Sequence, residues 1–191
     1  MSVILLIVLS IIKIITGDYH MKYLATAVLT LALATFLFAG ENEKPMQSTP
    51  QFDKMKSLVG TWKGKNDEGK PVTISYKLVS NESSLMETID VPEHSDDMIT
   101  MYHLNGRKLM MTHYCSAGNQ PRMQVKSPSL ADNTLTFSYM DATNLASKND
   151  AHMSKLVVTF KDADHFAQDW TMSENRKEVH HAKFDFERVK P

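Results

Sequence analysis

Apolar and polar side chains alternate along most of the chain that follows Gly60. In the segment VTISYKLV, Val72, Ile74 and Tyr76 fall on one face, and the residues between them fall on the other. The segments TLTFSYM, KLVVTFKD, HFAQDWTM and HAKFDFERV repeat this alternation further along. A period of two is typical of a β-strand with one buried face, so each segment is predicted to be a strand.

Turn sequences separate these strands: DEGKP, NESS, NG, AGNQP, ADN, KDADH and SENRK. With GTWKGK, SLMETIDV, DMITMYHL, RKLMMTHYC and RMQVKS included, the alternation gives about ten strands. Many short strands joined by tight turns indicate an all-β protein. The predicted fold is a single antiparallel up-and-down β-barrel of about ten strands.

Two segments depart from the alternation. Phe52, Met55 and Leu58 recur near helical spacing and predict a short N-terminal helix before the first strand. Residues 141–154, DATNLASKNDAHMS, form one long connection. This connection is predicted to be a short helix or an ordered loop over one end of the barrel.

One hairpin can be interpreted residue by residue. The segment MYHLNGRKLM contains Asn-Gly, a strong signal for a two-residue type I′ turn. That turn places Met98 opposite His113, and opposed residues share a face of the sheet. Because Tyr102 and Met111 define the apolar face, His113 and then Cys115 are predicted to point into the barrel.

The start of the chain resembles a leader. Met21 and a lysine precede an apolar run that ends in small residues, which describes a secretory signal peptide. Residues 1–20 are interpreted as a start-site artefact, 21–40 as the signal peptide, 41–51 as a linker and 52–191 as the barrel domain. The mature protein is expected to be secreted or periplasmic, without stable membrane insertion after leader removal. A retained N-terminal anchor is the alternative.

Charge and cysteine content narrow the function classes. The chain has 21 basic and 22 acidic residues, and a balanced charge argues against nucleic acid as a partner. The single cysteine, Cys115, cannot form an intrachain disulfide, so the domain depends on its apolar core for stability.

Polar residues at predicted inward or rim positions suggest a binding site for a small apolar or amphipathic ligand. The candidates are His113, Cys115, Asn119, Gln120, Arg122, His152, Gln168 and Trp170. Buried polar groups cost free energy unless they are paired, so they imply a mutually satisfied network or a ligand cavity. An inward Arg122 could receive an anionic head group. In the structural alternative, His113 only stabilises the SAGNQP turn.

Catalytic and metal-dependent functions remain open alternatives. Cys115 beside His113 could form a thiol nucleophile, although no oxyanion hole or orienting acid is evident. His113, His152 and His165 could bind a metal if the long connection folds over the barrel. Their spacing matches no metal motif, so no catalytic residue and no cofactor is assigned.

The segment LVGTWKGK resembles the start of the lipocalins and related calycin barrels. That resemblance implies that Arg188 on the last strand stacks on Trp62 and closes one end of the barrel. More broadly, the chain from Leu58 to Arg188 is similar to a group of uncharacterised secreted bacterial proteins. They share its segments MYHLNGRKL, HYCSAGNQPRM, DATNL, DAHM and DADHFAQDW.

The Leu-x-Gly-x-Trp-x-Gly spelling is also similar to the nitrobindin-like haem-binding barrels. That resemblance implies a haem-ligating histidine on the late strand, where VHHAKFDFER offers His180 and His181. A haem- or metal-dependent enzyme or sensor is therefore the alternative to a simple ligand-binding barrel.

Overall fold

Ten strands follow one short helix in the computed structural model of the protein, which describes residues 48–91, 97–126 and 133–190. The helix, α1, is Pro50–Lys56. The strands are β1 Gly60–Asn66, β2 Pro71–Val79, β3 Ser84–Asp90, β4 Met98–Asn105, β5 Lys108–Tyr114, β6 Gln120–Val125, β7 Thr134–Thr143, β8 His152–Phe160, β9 His165–Glu174 and β10 Lys177–Arg188.

The strands form one closed antiparallel barrel. Each strand pairs with its neighbours in sequence, and β1 pairs with β10 to complete the ring. Closure satisfies the backbone hydrogen bonds that an open sheet would leave free at its edges. The predicted fold class, an up-and-down barrel of about ten strands with a short N-terminal helix, is confirmed.

Helix α1 begins at Pro50, one residue before the predicted end of the linker at residue 51. Thr49 is its N-cap, and the Thr49 hydroxyl accepts a hydrogen bond of 3.2 Å from the Phe52 amide. Pro50 occupies the first turn, where a missing amide hydrogen costs nothing. The helix buries Phe52 and Met55 against the barrel, at the end that we call the helix end.

The interpretations of residues 1–20, 21–40 and most of 41–51 fall outside the described residues. Within the described ranges, no helical segment combines the length and the hydropathy that a membrane crossing requires.

The long connection is shorter than the sequence pattern predicted. Strand β7 continues to Thr143 and β8 begins at His152, so residues 144–151 form the connection. Its turns and bends match the loop alternative and not the helix. It lies at the end of the barrel opposite α1, which we call the distal end. The Asn175 amide donates to the Asn149 carbonyl at 2.8 Å, which ties the connection to the β9–β10 turn.

The core is covered unequally at the two ends of the barrel. At the helix end, Phe52, Trp62, Phe160 and Phe166 are all buried. Seven half-buried apolar side chains also pack against the core. Leu78 and Leu104 lie at the helix end, and the other five lie at the distal end: Val91, Met98, Met153, Ala182 and Phe184. The distal end therefore leaves more of its apolar lining partly exposed.

Close approach between β1 and β10 requires a glycine at position 64. A Cβ atom there would lie 2.2 Å from the Asp185 carbonyl oxygen and 2.7 Å from Cδ1 of Phe186. We expect Gly64→Ala to lower the free energy of unfolding by about 2 kcal/mol, because the strands must separate to admit the methyl group. Urea denaturation measures this change. Lys65→Ala, on the exposed face of the same strand, is the control, and an equal loss in both variants would contradict the prediction.

Candidate functional site

The β4–β5 hairpin sets the register of the candidate site. The structure pairs Asn105 with Lys108, so the two-residue turn starts at Gly106, whose φ of 60° suits a type II′ turn. The predicted register is therefore wrong by two residues, and Thr100, in place of Met98, lies opposite His113. A shift of two keeps every side chain on its predicted face, so His113 still points inward.

His113 lies inside the barrel near the distal end of β5. Its side chain is 2% exposed, and its Nδ1 atom lies 2.9 Å from the Thr100 hydroxyl. The imidazole also packs against the Trp170 ring, with 4.7 Å between ring centroids. Burial lowers the pKa of His113 to about 4, so the ring is neutral at neutral pH. The described residues offer its other nitrogen, Nε2, no hydrogen bond.

A buried carboxyl group, Glu87, occupies the centre of the barrel. The Tyr102 hydroxyl and the Gln168 amide each donate to Oε2 of Glu87 at 2.9 Å. The same Gln168 nitrogen lies 2.9 Å from the Tyr76 hydroxyl oxygen. The other carboxyl oxygen, Oε1, is buried without a hydrogen-bond partner among the described residues. Glu87 is thus the one fully buried acidic side chain in the described ranges, and it is incompletely paired.

The orientation of the Gln168 amide follows from its other neighbour. The Trp170 indole nitrogen can only donate a hydrogen bond, and it lies 2.9 Å from Oε1 of Gln168. The amide nitrogen of Gln168 must then face Glu87 and Tyr76. Gln168 therefore links the Trp170 and His113 pair to the carboxyl group across the barrel.

The environment of Glu87 changes the acidity of three groups. Burial raises the pKa of Glu87, while the polar side chains around it, those of Tyr76, Tyr102, Gln168 and Thr100, act in the opposite direction. Burial and the nearby carboxylate raise the pKa values of Tyr76 and Tyr102 well above 10. Both phenols are consequently protonated donors or acceptors at neutral pH.

Sequence reasoning did not identify Glu87 as a candidate, although a signal was present. In the segment SLMETIDV, Leu85, Glu87 and Ile89 share one face by the period of two, and all three are buried. A charged residue between two apolar residues on an inward face indicates a buried carboxyl group. Thr100 carries the same signal on β4, where Tyr102 lies on the same face.

Three candidates lie around the β5–β6 turn at the distal end. Cys115 is half-buried, and its amide donates to the Asn119 carbonyl at 3.2 Å. Asn119 is buried, and its amide donates to the carbonyl of Ala151 at 3.0 Å, while its Oδ1 has no partner among the described residues. Gln120 accepts a hydrogen bond from Thr143 at 2.7 Å on the outside of the wall. This turn therefore anchors the long connection.

The expectation that Arg122 points into the barrel is wrong. On β6 the inward side chains are Pro121, Met123 and Val125, so Arg122 projects outward. Its guanidinium forms a bidentate pair with Asp141, with both N–O distances at 2.6 Å. The apolar alternation of Met123 and Val125 in the sequence already favoured this orientation.

The three histidines proposed as metal ligands do not meet. His152 pairs with Ser173 at the distal end, and its ring packs 4.5 Å from the Tyr139 ring. His165 begins β9 at the helix end, eight residues from Ser173, or about 26 Å along a strand. There it contacts Asp162 at the surface. Within the described ranges, no three His, Cys, Asp or Glu side chains form a group that could hold a metal ion.

The histidines of β10 do not fit a haem ligand inside the barrel. His180 and His181 are both exposed. His180 shares the face of Ala182, Phe184 and Phe186 but lies beyond the end of β1, which pairs with β10 only from Phe184 onward. His181 lies between the carboxylates of Asp169 and Glu178 on the outer wall, at 3.6 Å and 3.5 Å. Neither imidazole is buried in the barrel, where a ligand to an enclosed iron atom would lie.

A groove of about 700 Å³ lies between β7 and the long connection. It forms because β7 pairs with β8 only through Ser138, after which the two strands separate. The Tyr139 and His152 rings pack together across this gap. The groove is lined by Tyr139, Met140, Asp141, Ala142, Leu145, Ala146, Ser147, Lys148, His152, Ser154, Ser173 and Arg176.

Trp62 and Arg188 meet at the helix end. They are direct partners across β1 and β10, and the guanidinium carbon lies 4.0 Å from the indole centroid. The Arg188 guanidinium also donates to the carbonyls of Ser57 and Val59, at 2.8 Å and 2.9 Å. Arg188 therefore joins the last strand to the segment between α1 and β1.

Comparison with known proteins identifies a fold and no activity. No protein-family model and no curated protein matches the chain. Rv2717c from M. tuberculosis is similar in structure, with a TM-score of 0.51 and 10% sequence identity over 75% of this chain and 100% of that one. A redesigned β-barrel has a TM-score of 0.33 at 14% identity, over 75% of this chain and 100% of that one.

A protein of unknown function from the DUF3598 family of Nostoc punctiforme has a TM-score of 0.48 and 13% identity. The match covers 79% of this chain and 53% of the Nostoc protein, so the chain spans about half of that protein's length. Identities this low show shared architecture alone. The chain is a closed ten-stranded β-barrel whose structural neighbours include a protein of unknown function.

Proposed function

We propose that this protein is an exported β-barrel that binds a small apolar or amphipathic molecule at its distal end. The observation that carries the proposal is the partly exposed apolar lining there, above a neutral buried histidine with a free Nε2. Ligand cavities commonly combine apolar walls with a few polar groups. Export rests on the leader-like sequence of residues 21–40.

The apolar wall of the proposed site is formed where some strands extend further toward the distal end than their neighbours. Strand β10 pairs with β1 only from Phe184 onward, so Ala182 lies beyond the end of β1. Ala182 is opposite Trp170, whose ring packs against His113. Met98 lies on the other side, at the start of β4. A ligand between these residues would cover apolar surface that the fold leaves half-exposed.

The polar floor of the site is hard to explain by packing alone. Burying an unpaired polar group costs roughly 1–3 kcal/mol, and apolar residues of similar size would avoid that cost. The barrel nevertheless places Glu87, Thr100, His113 and Gln168 together inside the wall. A polar group on a ligand could satisfy the atoms that the protein leaves without partners.

The finer assignment to the calycin group belongs to the same proposal. It is supported by the Gly-x-Trp start of β1 and by the contact between Arg188 and Trp62. That resemblance implies that this pair closes one end of the barrel. The covered helix end and the less covered distal end of this barrel agree with that arrangement.

Binding of Nile red, a neutral apolar dye, tests the proposed site. We expect Ala182→Trp to weaken dye binding at least about tenfold, because the indole fills the space beside Trp170. Lys183→Trp is the matched control, since the next residue of β10 faces outward, and its affinity should stay within about twofold of the unmodified protein. Fluorescence titration gives both affinities, and thermal melts show that both variants fold.

Two results would count against the proposal. One is the absence of Nile red binding to the unmodified barrel, which would favour a filled structural module. The other is equal binding by the two tryptophan variants, which would place the dye elsewhere on the surface.

A further inference from the structure

A row of three polar side chains crosses the inner wall below the proposed site. Glu87 is the direct cross-strand partner of Thr100, and Thr100 is the direct partner of His113. All three are buried, at 0%, 0% and 2% exposure. The Thr100 hydroxyl therefore lies between a carboxyl group and an imidazole.

Thr100 has one hydroxyl hydrogen and two neighbours that can accept it. In one arrangement the hydroxyl donates to Nδ1 of His113, and Nε2 of the ring carries the proton. In the other, Nδ1 carries the proton and donates to the Thr100 oxygen, and the hydroxyl is free to donate to Glu87. Glu87 could take the hydroxyl hydrogen in this second arrangement, because its Oε1 has no partner among the described residues.

A hydrogen-bond donor at Nε2 of His113 would select the second arrangement. Nε2 can accept a hydrogen bond only when the ring proton is on Nδ1. Nδ1 then donates to Thr100, and the Thr100 hydrogen becomes available to the carboxyl group. A donor on the ligand would thus leave the Thr100 hydrogen to the carboxyl group, whereas an acceptor would hold that hydrogen on His113.

The distribution of charged side chains also favours a ligand that carries a donor and a positive charge. Every lysine and arginine side chain in the described ranges is at least partly exposed, so none of them neutralises Glu87 in the interior. Arg122, the expected receptor for an anionic head group, is paired with Asp141 on the outer surface. An anionic ligand would therefore lack a buried cation, whereas a cationic ligand would compensate the carboxyl group.

From this row of residues we propose that the polar end of the ligand is a protonated amine that donates an N–H to Nε2 of His113. The inference rests on the proposed function and names its ligand class. The Trp170 ring, which packs against the imidazole, supplies an aromatic face of the kind that attracts cations. Glu87 lies behind Thr100, so its negative charge attracts the amine although the two groups are not in contact.

Four probes with the same eight-carbon chain test the inference: octylamine, octanol, octanoate and octyltrimethylammonium. Calorimetric titration at pH 7.5 should show octylamine binding at least about tenfold more tightly than octanol and octanoate. Octyltrimethylammonium carries the charge but has no N–H, so it should bind more weakly than octylamine. Nitrogen NMR of the labelled histidines should show His113 as the Nδ1–H tautomer when octylamine is bound.

Glu87→Gln removes the charge at nearly constant shape. In this variant the affinities for octylamine and octanol should become similar, within about twofold, while octanol binding itself is unchanged. Glu178→Gln, which removes an exposed carboxylate on the outer wall, is the matched control and should keep the preference for the amine.

The outcomes separate the two proposals. Equal or tighter binding of octanoate, or an amine preference that persists in Glu87→Gln, would overturn the amine inference and leave the ligand-binding function standing. An Nε2–H tautomer of His113 with octylamine bound would also overturn it. If neither Nile red nor any of the four probes binds the unmodified barrel, both proposals fail.

Discussion

Replacing Trp62 with alanine is expected to lower the free energy of unfolding by about 3–5 kcal/mol, because a large buried aromatic side chain leaves a cavity. Trp62 is 1% exposed, and its ring meets the edge of Phe166 at 4.7 Å between centroids. Its indole nitrogen donates to the Leu58 carbonyl at 2.7 Å, and Arg188 stacks on its face. The substitution removes all of these contacts at the helix end.

Urea denaturation followed by circular dichroism measures this loss. Tyr114→Ala is the control, because Tyr114 is an aromatic residue that is half-exposed on the barrel wall and should cost much less. Similar losses in the two variants would mean that Trp62 does not close the helix end. Arg188→Lys tests the stacking separately, since lysine keeps the charge but loses the planar group.

Acidification is expected to remove about 3 kcal/mol of stability through His113 alone, the value that follows from a pKa lowered from 6.5 to about 4. In this window the unfolded chain binds a proton that the folded, buried imidazole refuses. Stability from this residue is therefore fully present above pH 6.5 and is lost as the pH falls toward 4. The physical cause is the cost of burying a charged ring.

Glu87 acts in the opposite direction, because burial raises its pKa and the folded state holds that proton more readily. The unfavourable contribution of Glu87 to folding stability grows as the pH rises above the ordinary pKa of a glutamate side chain. The His113 effect must therefore be measured as a difference between variants. Unfolding free energies of the unmodified protein and His113→Gln, taken at pH 7 and pH 4, give that difference.

His180→Gln is the matched control, since His180 is an exposed histidine at the distal end of β10. Its stability should follow the same pH profile as the unmodified protein. The prediction is contradicted if His113→Gln retains the full acid sensitivity, because the titrating group would then lie elsewhere.

The local alternation of side chains predicted much of this structure. It gave the strand count, the closed antiparallel fold and the inward direction of His113, Gln168 and Trp170. It also favoured an outward Arg122, since Met123 and Val125 occupy the inward face of β6. Proximity to the turn favoured the opposite, and wrong, orientation.

Hairpin register was harder to predict, because Asn-Gly is compatible with more than one placement of the turn. The structure starts the turn at Gly106, and this choice brings Thr100 opposite His113. The two-residue error left every side chain on its correct face, but it gave His113 the wrong cross-strand partner. A hydrogen bond that depends on one specific cross-strand neighbour therefore requires the structure.

The direction of each side chain follows from the alternation alone, because the pleat of a strand is a local property with a fixed period of two. Which of the inward side chains meet depends on the assembled barrel. Glu87 and Gln168 are 81 residues apart, and His152 and His165 lie near opposite ends of neighbouring strands. Those contacts depend on how ten strands are staggered when the barrel closes, and stagger is a property of the whole ring.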